Sequence, residues 1–211
     1  MKKFFLFAFL IQFFFVSAAL AQDIFEKKKS DDEVKTLLGS RKHFGFYCAP
    51  VFKAGQSFDR TTMFTGGKIG LVAGRALGFG FEGYGAIPDA ARTDLLPATR
   101  LRTLTGMGGF FVEPILASNR LVHLTFPVGT GIGWCGYVTD WVNNNDSDRL
   151  LEEDLYWYVE PSVNIEMNIT RFLRAGASVS YRYTSDIKMT GLDAKTLAAP
   201  LFGAYFKIGR F

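Results

Sequence analysis

From Leu155 to Met167 the chain alternates without interruption. Leu155, Trp157, Val159, Pro161, Val163, Ile165 and Met167 are apolar, while Tyr156, Tyr158, Glu160, Ser162, Asn164 and Glu166 between them are polar or amphipathic. A period of two belongs to a strand whose faces meet different surroundings. The next segment repeats the pattern, with Leu173, Ala175, Ala177, Val179, Tyr181 and Tyr183 set against Arg174, Gly176, Ser178, Ser180 and Arg182. Similar runs predict strands near 43–54, 63–73, 77–86, 102–117, 120–137, 154–168, 172–184 and 199–211. Between them long and short connections alternate. The tight ones centre on Gly74-Arg75, on Ser118-Asn119-Arg120 and on 168–171; the long ones fall at 54–62, 87–101, 138–153 and 185–198. After residue 42 there is no amphipathic helical stretch and no apolar run long enough to span a bilayer as a helix.

This arrangement predicts an all-β fold, an eight-stranded antiparallel up-and-down transmembrane β-barrel with both chain ends on its short-turn side. An ungapped repeat at an offset of 47 residues supports the order. Val112-Glu113-Pro114 matches Val159-Glu160-Pro161, and the run from Val128 to Trp134 matches Ala175 to Tyr181, so the repeated unit is a hairpin. Pro114 and Pro161 require a bulge or a position near the rim, because a closed barrel has no edge strand.

Assigning the faces puts Lys53, Lys68, Glu82, Glu113, Glu160, Glu166, Arg174, Arg182 and Lys207 inside, together with Tyr47, Tyr84, Tyr156, Tyr158 and Tyr205. In a soluble sandwich each unpaired buried ion costs several kcal/mol. In a barrel that shows its apolar face to lipid, the charges meet each other in the interior instead. The hairpin at Gly74-Arg75-Ala76 sets Lys68 opposite Glu82, and a turn centred on Thr170 sets Glu166 opposite Arg174. The expected feature is therefore a lumen charge network of Lys68, Glu82, Glu113, Glu160, Glu166, Arg174 and Arg182, serving as a structural ladder or a ligand path. An eight-stranded barrel is just wide enough for its side chains to fill it, so a plugged lumen with no conducting pore is expected.

The N-terminus adds export. Met1-Lys2-Lys3, an apolar run from Phe4 to Val16 and Ala19-Leu20-Ala21 form a signal peptide pattern, with cleavage expected before Gln22. The domains are then 1–21 cleaved signal peptide, 22–42 periplasmic N-terminal segment and 43–211 outer-membrane barrel. In the second, Ser30-Asp31-Asp32-Glu33 has the capping-box spacing of a short helix. Loss of Lys2 and Lys3 lowers the formal charge of +4 by two, and no Lys/Arg cluster supports nucleic-acid binding. The 22 Phe, 8 Tyr and 3 Trp suit aromatic girdles. Cys48 and Cys135 face opposite ways on distant strands, which predicts two unpaired thiols despite an oxidising compartment.

The signal peptide, the eight alternating strands, the unequal connections and the terminal Gly209-Arg210-Phe211 together resemble the small outer-membrane β-barrels of Gram-negative bacteria, the OmpA-like, OmpX-like and OmpW-like proteins. The resemblance covers His43 to Phe211 and implies a cell outer membrane location, contact with outer-membrane lipid, and Phe211 as an assembly signal read by the barrel-assembly machinery. The phase of the last strand departs from that pattern. Counting back by twos from Phe211 gives Gly209, Lys207 and Tyr205, so either Gly209 marks a bulge or Phe211 points inward.

No catalytic, cofactor-binding or metal site is expected. His43 and His123 read as interface residues near the periplasmic rim, without the partners catalysis needs. The acidic loop from Asn143 to Asp148, followed by Glu152, Glu153 and Asp154, lacks the glycine and terminal glutamate of an EF-hand and reads as a solvated loop. The leading functional reading is a monomeric structural or surface-interaction barrel whose long loops meet extracellular ligands. A transporter or binder of small hydrophobic compounds and a lipid-modifying enzyme are the alternatives, the latter disfavoured because 87–101 and 138–153 contain no His or Cys.

Overall fold

The computed structural model describes residues 44–57, 60–87, 91–92, 101–139, 150–190 and 194–211. The chain divides into two units, 1–39 and 40–211, and every described residue belongs to the second. The export signal, the capping-box segment, His43 and the loop 143–148 therefore lie outside the described residues.

The strands are β1 (Phe44–Ser57), β2 (Arg60–Ala73), β3 (Leu77–Ile87), β4 (Ala91–Arg92), β5 (Leu101–Leu116), β6 (Val122–Thr125), β7 (Val128–Thr139), β8 (Leu150–Asn168), β9 (Leu173–Tyr181), β10 (Tyr183–Thr184) and β11 (Pro200–Arg210), with a short helix α1 (Ala194–Leu197) before the last. β4 pairs only with β5. β6 and β7 make one stave, as do β9 and β10, which leaves eight staves, each antiparallel to both neighbours. The ring closes where β11 returns to β1, from Phe46 opposite Arg210 to Gly55 opposite Leu201. Closure removes every unpaired edge, the condition a sheet must meet in an apolar solvent.

The eight staves and their faces agree with the sequence expectation. Five details differ. The first connection is not long, because β1 and β2 pair out to Ser57 opposite Arg60 and leave only two residues between them. Their polar ends, Gln56-Ser57 and Arg60-Thr61-Thr62, carry no apolar alternation, yet the ladder continues and Thr62 Oγ1 donates to the Ser57 carbonyl at 3.0 Å. The stave predicted at 120–137 is interrupted at Phe126-Pro127. Pro127 has no N–H to give, and the pairing register is the same on both sides of the break, Thr125 facing Ile115 and Val128 facing Val112.

Pro161 occupies neither a bulge nor the rim. It faces Val128 on one side, while on the other the ladder lapses between Ser162 opposite Ser180 and Val159 opposite Tyr183 without a change of register. The turn after β8 is longer than its composition suggests. Glu166 stands opposite Gly176 and Arg174 opposite Asn168, two residues from the predicted register but on the predicted face. The ungapped repeat consequently does not extend to pairing, since Val112 faces Val128 whereas its counterpart Val159 faces Tyr183 rather than Ala175.

The turn after β2 has the predicted register, Ala73 opposite Leu77 and Lys68 opposite Glu82. Gly74 and Arg75 both take left-handed backbone, with φ of 59° and 60°. Glycine also decides how the bore is filled. The inward run Gly129-x-Gly131-x-Gly133 of β7 leaves room for groups from other staves: a Cβ on Gly133 would lie 2.2 Å from the Tyr156 ring, and one on Gly129 would lie 2.1 Å from the Glu82 carboxylate. The outer wall is the reverse of a soluble surface, with Phe46, Phe52, Ile69, Phe81, Ile132, Leu155, Trp157, Val163 and Phe202 all exposed.

Candidate functional site

The bore holds the concentration of chemistry that the alternation predicts. Lys53, Glu82, Glu113, Glu160, Glu166, Arg174, Arg182 and Lys207 are buried, and Lys68 nearly so. Tyr47, Tyr84, Tyr156, Tyr158 and Tyr205 are buried among them. The charges form two groups.

In the first, Glu160 takes Lys53 Nζ at 2.5 Å, Arg182 Nε at 2.9 Å and the Ser180 hydroxyl at 2.9 Å. Glu82 takes Lys68 Nζ at 2.9 Å and the hydroxyls of Tyr84 and Tyr158 at 3.1 and 3.2 Å. The cations also rest on aromatic faces: Lys53 lies 4.0 Å from the Tyr84 ring centre and Arg182 4.5 Å from that of Phe64, contacts that strengthen where water is excluded.

In the second group Lys207 joins two carboxylates. It donates to both oxygens of Glu113, at 2.7 and 2.8 Å, and to Glu166. Glu113 also accepts from Tyr47 and Thr125, each at 3.0 Å. Glu166 accepts from the Tyr205 hydroxyl at 2.7 Å, lies 3.2 Å from His123 Nε2, and has Arg174 Nη1 at 3.8 Å.

These contacts span the bore. β11, which carries Lys207, and β5, which carries Glu113, are four staves apart and therefore diametrically opposed. Lys53 to Glu160, Tyr47 to Glu113 and Tyr158 to Glu82 each join staves three apart. Bonds of hydrogen-bond length across the whole diameter leave the side chains themselves as the filling of the lumen. Each carboxylate is surrounded by several donors, the condition under which a buried ion pair offsets its desolvation.

The network residues Lys68, Glu82, Glu113, Glu160, Glu166, Arg174 and Arg182 are thus brought together as two linked sets. Lys53 and Lys207 belong to them equally, and their inward parity was the available signal. Glu166 and Arg174 meet diagonally instead of directly across, for the register reason given above. His123 is a correction: it is an inward residue of β6, 3% exposed and bound to Glu166, not an interface residue. Its parity matches that of Thr125, which also faces inward.

Phe211 points inward. The β1 to β11 register runs without a shift to Arg210, so Gly209 is no bulge, and the Phe211 ring packs 6.0 Å from that of Tyr47 with the Arg174 guanidinium 3.8 Å from its centre. Both cysteines are free, Cys48 exposed on the outer wall and Cys135 buried inside.

At the end with the longer connections, residues 185–190 and 194–199 fold against the bore. Ile187, Met189, Leu197 and Ala199 are buried there. Of the acidic residues on β8, Asp154 accepts from the Lys188 amide at 2.6 Å and Glu152 from the Thr190 amide at 3.0 Å, while Glu153 accepts from Trp134 Nε1 at 2.7 Å. These carboxylates bind protein donors. Among the described residues no group of three or more His, Cys, Asp or Glu is placed to hold a metal ion.

No protein-family model and no curated protein sequence matches the chain. Among solved structures, the N-terminal β-barrel domain of Pseudomonas aeruginosa OprF is similar at 10% identity and a TM-score of 0.49, covering 78% of this chain and 96% of that one. Neisserial surface protein A follows at 12% identity and 0.48, covering 78% and 96%. Ail, the attachment invasion locus protein of Yersinia pestis, has 10% identity and 0.48, covering 80% and 98%.

Proposed function

We propose that the chain is an integral β-barrel of the bacterial outer membrane with a structural or surface-interaction role, and that it forms no conducting pore. The observation that carries this reading is the inverted polarity of a closed sheet, apolar outside and ion-paired inside. An exposed wall that includes Phe46, Phe81, Ile132, Leu155 and Phe202 is far larger than the apolar patch a soluble monomer tolerates. It is what lipid requires. Among the described residues no helix is long and apolar enough to cross a membrane. The export signal pattern of residues 1–21 supports passage across the inner membrane, which an outer-membrane barrel requires.

A filled bore argues against solute passage. Lys207 with Glu113 bridges opposite walls and Lys53 with Glu160 joins staves three apart, and opening a water path would separate these ions in a confined space. The remaining outlet for function is the end with the longer connections, whose exposed side chains include Glu153, Asp186 and Lys188. The test is reconstitution of purified, folded protein in planar bilayers. The expected result is folding without stable single-channel currents; stable currents would overturn the plugged-barrel reading, and failure to enter lipid at all would overturn the membrane reading.

A further inference from the structure

Among the described residues, the exposed charged side chains at the end of the barrel with the short turns are all positive. Each of its three turns presents an exposed arginine, Arg75 after β2, Arg120 after β5 and Arg171 after β8, and the outward end of β11 adds Arg210. Because the staves alternate in direction, all four lie at the same end, spread around the circumference. None has an acidic side chain within ion-pair distance among the described residues. The acids nearest this end, Glu113 and Glu166, are turned inward and engaged by Lys207. The acids Glu152, Glu153, Asp154 and Asp186 belong to the opposite end.

Each of three arginines also borders a strongly exposed apolar side chain. Leu121 follows Arg120, Phe172 follows Arg171, and Phe46 faces Arg210 across the β1 to β11 seam; these three are 68%, 63% and 65% exposed. An apolar collar with guanidinium groups just beyond it matches the step from acyl chains to phosphates in a lipid leaflet. Arginine spans such a step by burying its stem and keeping its head polar. Its planar fork binds phosphate oxygens two at a time, which makes it the better cation for this partner.

We propose that the short-turn end is a docking ring for anionic phospholipids, in which Arg75, Arg120, Arg171 and Arg210 bind the phosphate groups of the leaflet at that end. The inference rests on the membrane reading above and adds to it a lipid class and a leaflet. Each arginine near an anionic surface raises association by a factor of about five. The effect falls as salt shortens the screening length.

The test is lipid selectivity at the protein boundary, read with spin-labelled phosphatidylglycerol and spin-labelled phosphatidylcholine in vesicles of phosphatidylcholine containing the full chain. Three proteins are compared: wild type, the variant R75Q/R120Q/R171Q/R210Q, and a control with equal charge removed at the opposite end, R60Q/R92Q/R102Q/K188Q. Heat-modifiable mobility on a denaturing gel establishes that each is folded. The expected result is a preference of several-fold for phosphatidylglycerol in the wild type and the control, lost in the ring variant and weakened by salt. Two results would overturn the ring while leaving the membrane reading intact: folded wild type without preference, or a ring variant that keeps it. If wild type neither folds in the vesicles nor restricts any labelled lipid, the membrane reading fails and the ring with it.

Discussion

Replacing Lys207 by Met removes the one cation that Glu113 contacts within ion-pair distance among the described residues. The side chain is 3% exposed and supplies bonds of 2.7 and 2.8 Å to that carboxylate. After the substitution Glu113 keeps only the neutral donors Tyr47 and Thr125, while Glu166 keeps His123, Tyr205 and the more distant Arg174. Stranding one member of a buried ion pair costs about 3–5 kcal/mol, a large part of the roughly 5–15 kcal/mol by which folded proteins exceed their unfolded state. A second change, Glu113→Gln, removes the stranded charge while leaving an oxygen for Tyr47 or Thr125. The double variant K207M/E113Q is therefore expected to recover at least about 2 kcal/mol relative to K207M alone, a coupling of the size found between contacting groups. Urea unfolding in lipid vesicles, followed by heat-modifiable mobility, measures all three proteins. In a water-filled lumen the same pair would be worth about 0–1 kcal/mol. A loss below about 1 kcal/mol for K207M, or a double variant no better than the single, would refute the dry, cross-braced bore.

Gly133→Ala places a Cβ 2.2 Å from the Tyr156 ring, whose hydroxyl is held by Thr105 Oγ1 at 2.9 Å, so a loss of about 1–3 kcal/mol is expected. The loss should shrink in a Tyr156→Ala background, as read by the same unfolding assay. Val163, exposed on the outer face of β8 and five residues from its turn end, lies near mid-depth of a crossing of about 9–11 residues. Val163→Arg should cost about 2–4 kcal/mol in bilayers, and a cost near zero would contradict a lipid-facing wall. Cys135 is fully buried inside the bore, so a bulky maleimide should leave it unmodified in the folded protein and label it after urea unfolding, as mass spectrometry of the digested chain would show.

The staves and their faces were legible because lipid outside and ions inside impose opposite demands on alternate residues, and β8 records those demands from Leu155 to Met167. Lys68 opposite Glu82 followed from a three-residue turn whose glycine marks the reversal. Pairing after β8 was less accessible, since Ile169-Thr170-Arg171-Phe172 contains no glycine or proline to locate the turn, and the register lies two residues from the expected one. The two lumen clusters were hidden for a different reason. Alternation reports that a side chain points inward, but which opposite stave it reaches depends on the shear of the closed ring. Lys207 between Glu113 and Glu166 joins staves distant in sequence, whereas His123 beside Glu166 follows from the direct pairing of β6 with β8. Phe211 shows the value of taking phase literally, since the parity that sets Lys207 and Tyr205 inside also sets Phe211 between Tyr47 and Arg174.

β8 is expected to separate lipid from a closed, dry interior, which a cysteine scan with spin labels from residue 155 to 167 would reveal. Labels are placed one at a time in an otherwise cysteine-free barrel folded in lipid, and their collisions with oxygen and with a water-soluble nickel chelate are compared. Odd positions such as Leu155, Trp157, Val163 and Ile165 should show high oxygen and low nickel accessibility, while even positions such as Tyr158, Glu160 and Glu166 should be shielded from both. High nickel accessibility at the even positions would mean a hydrated channel. High nickel accessibility at the odd ones would mean that the apolar wall does not face lipid.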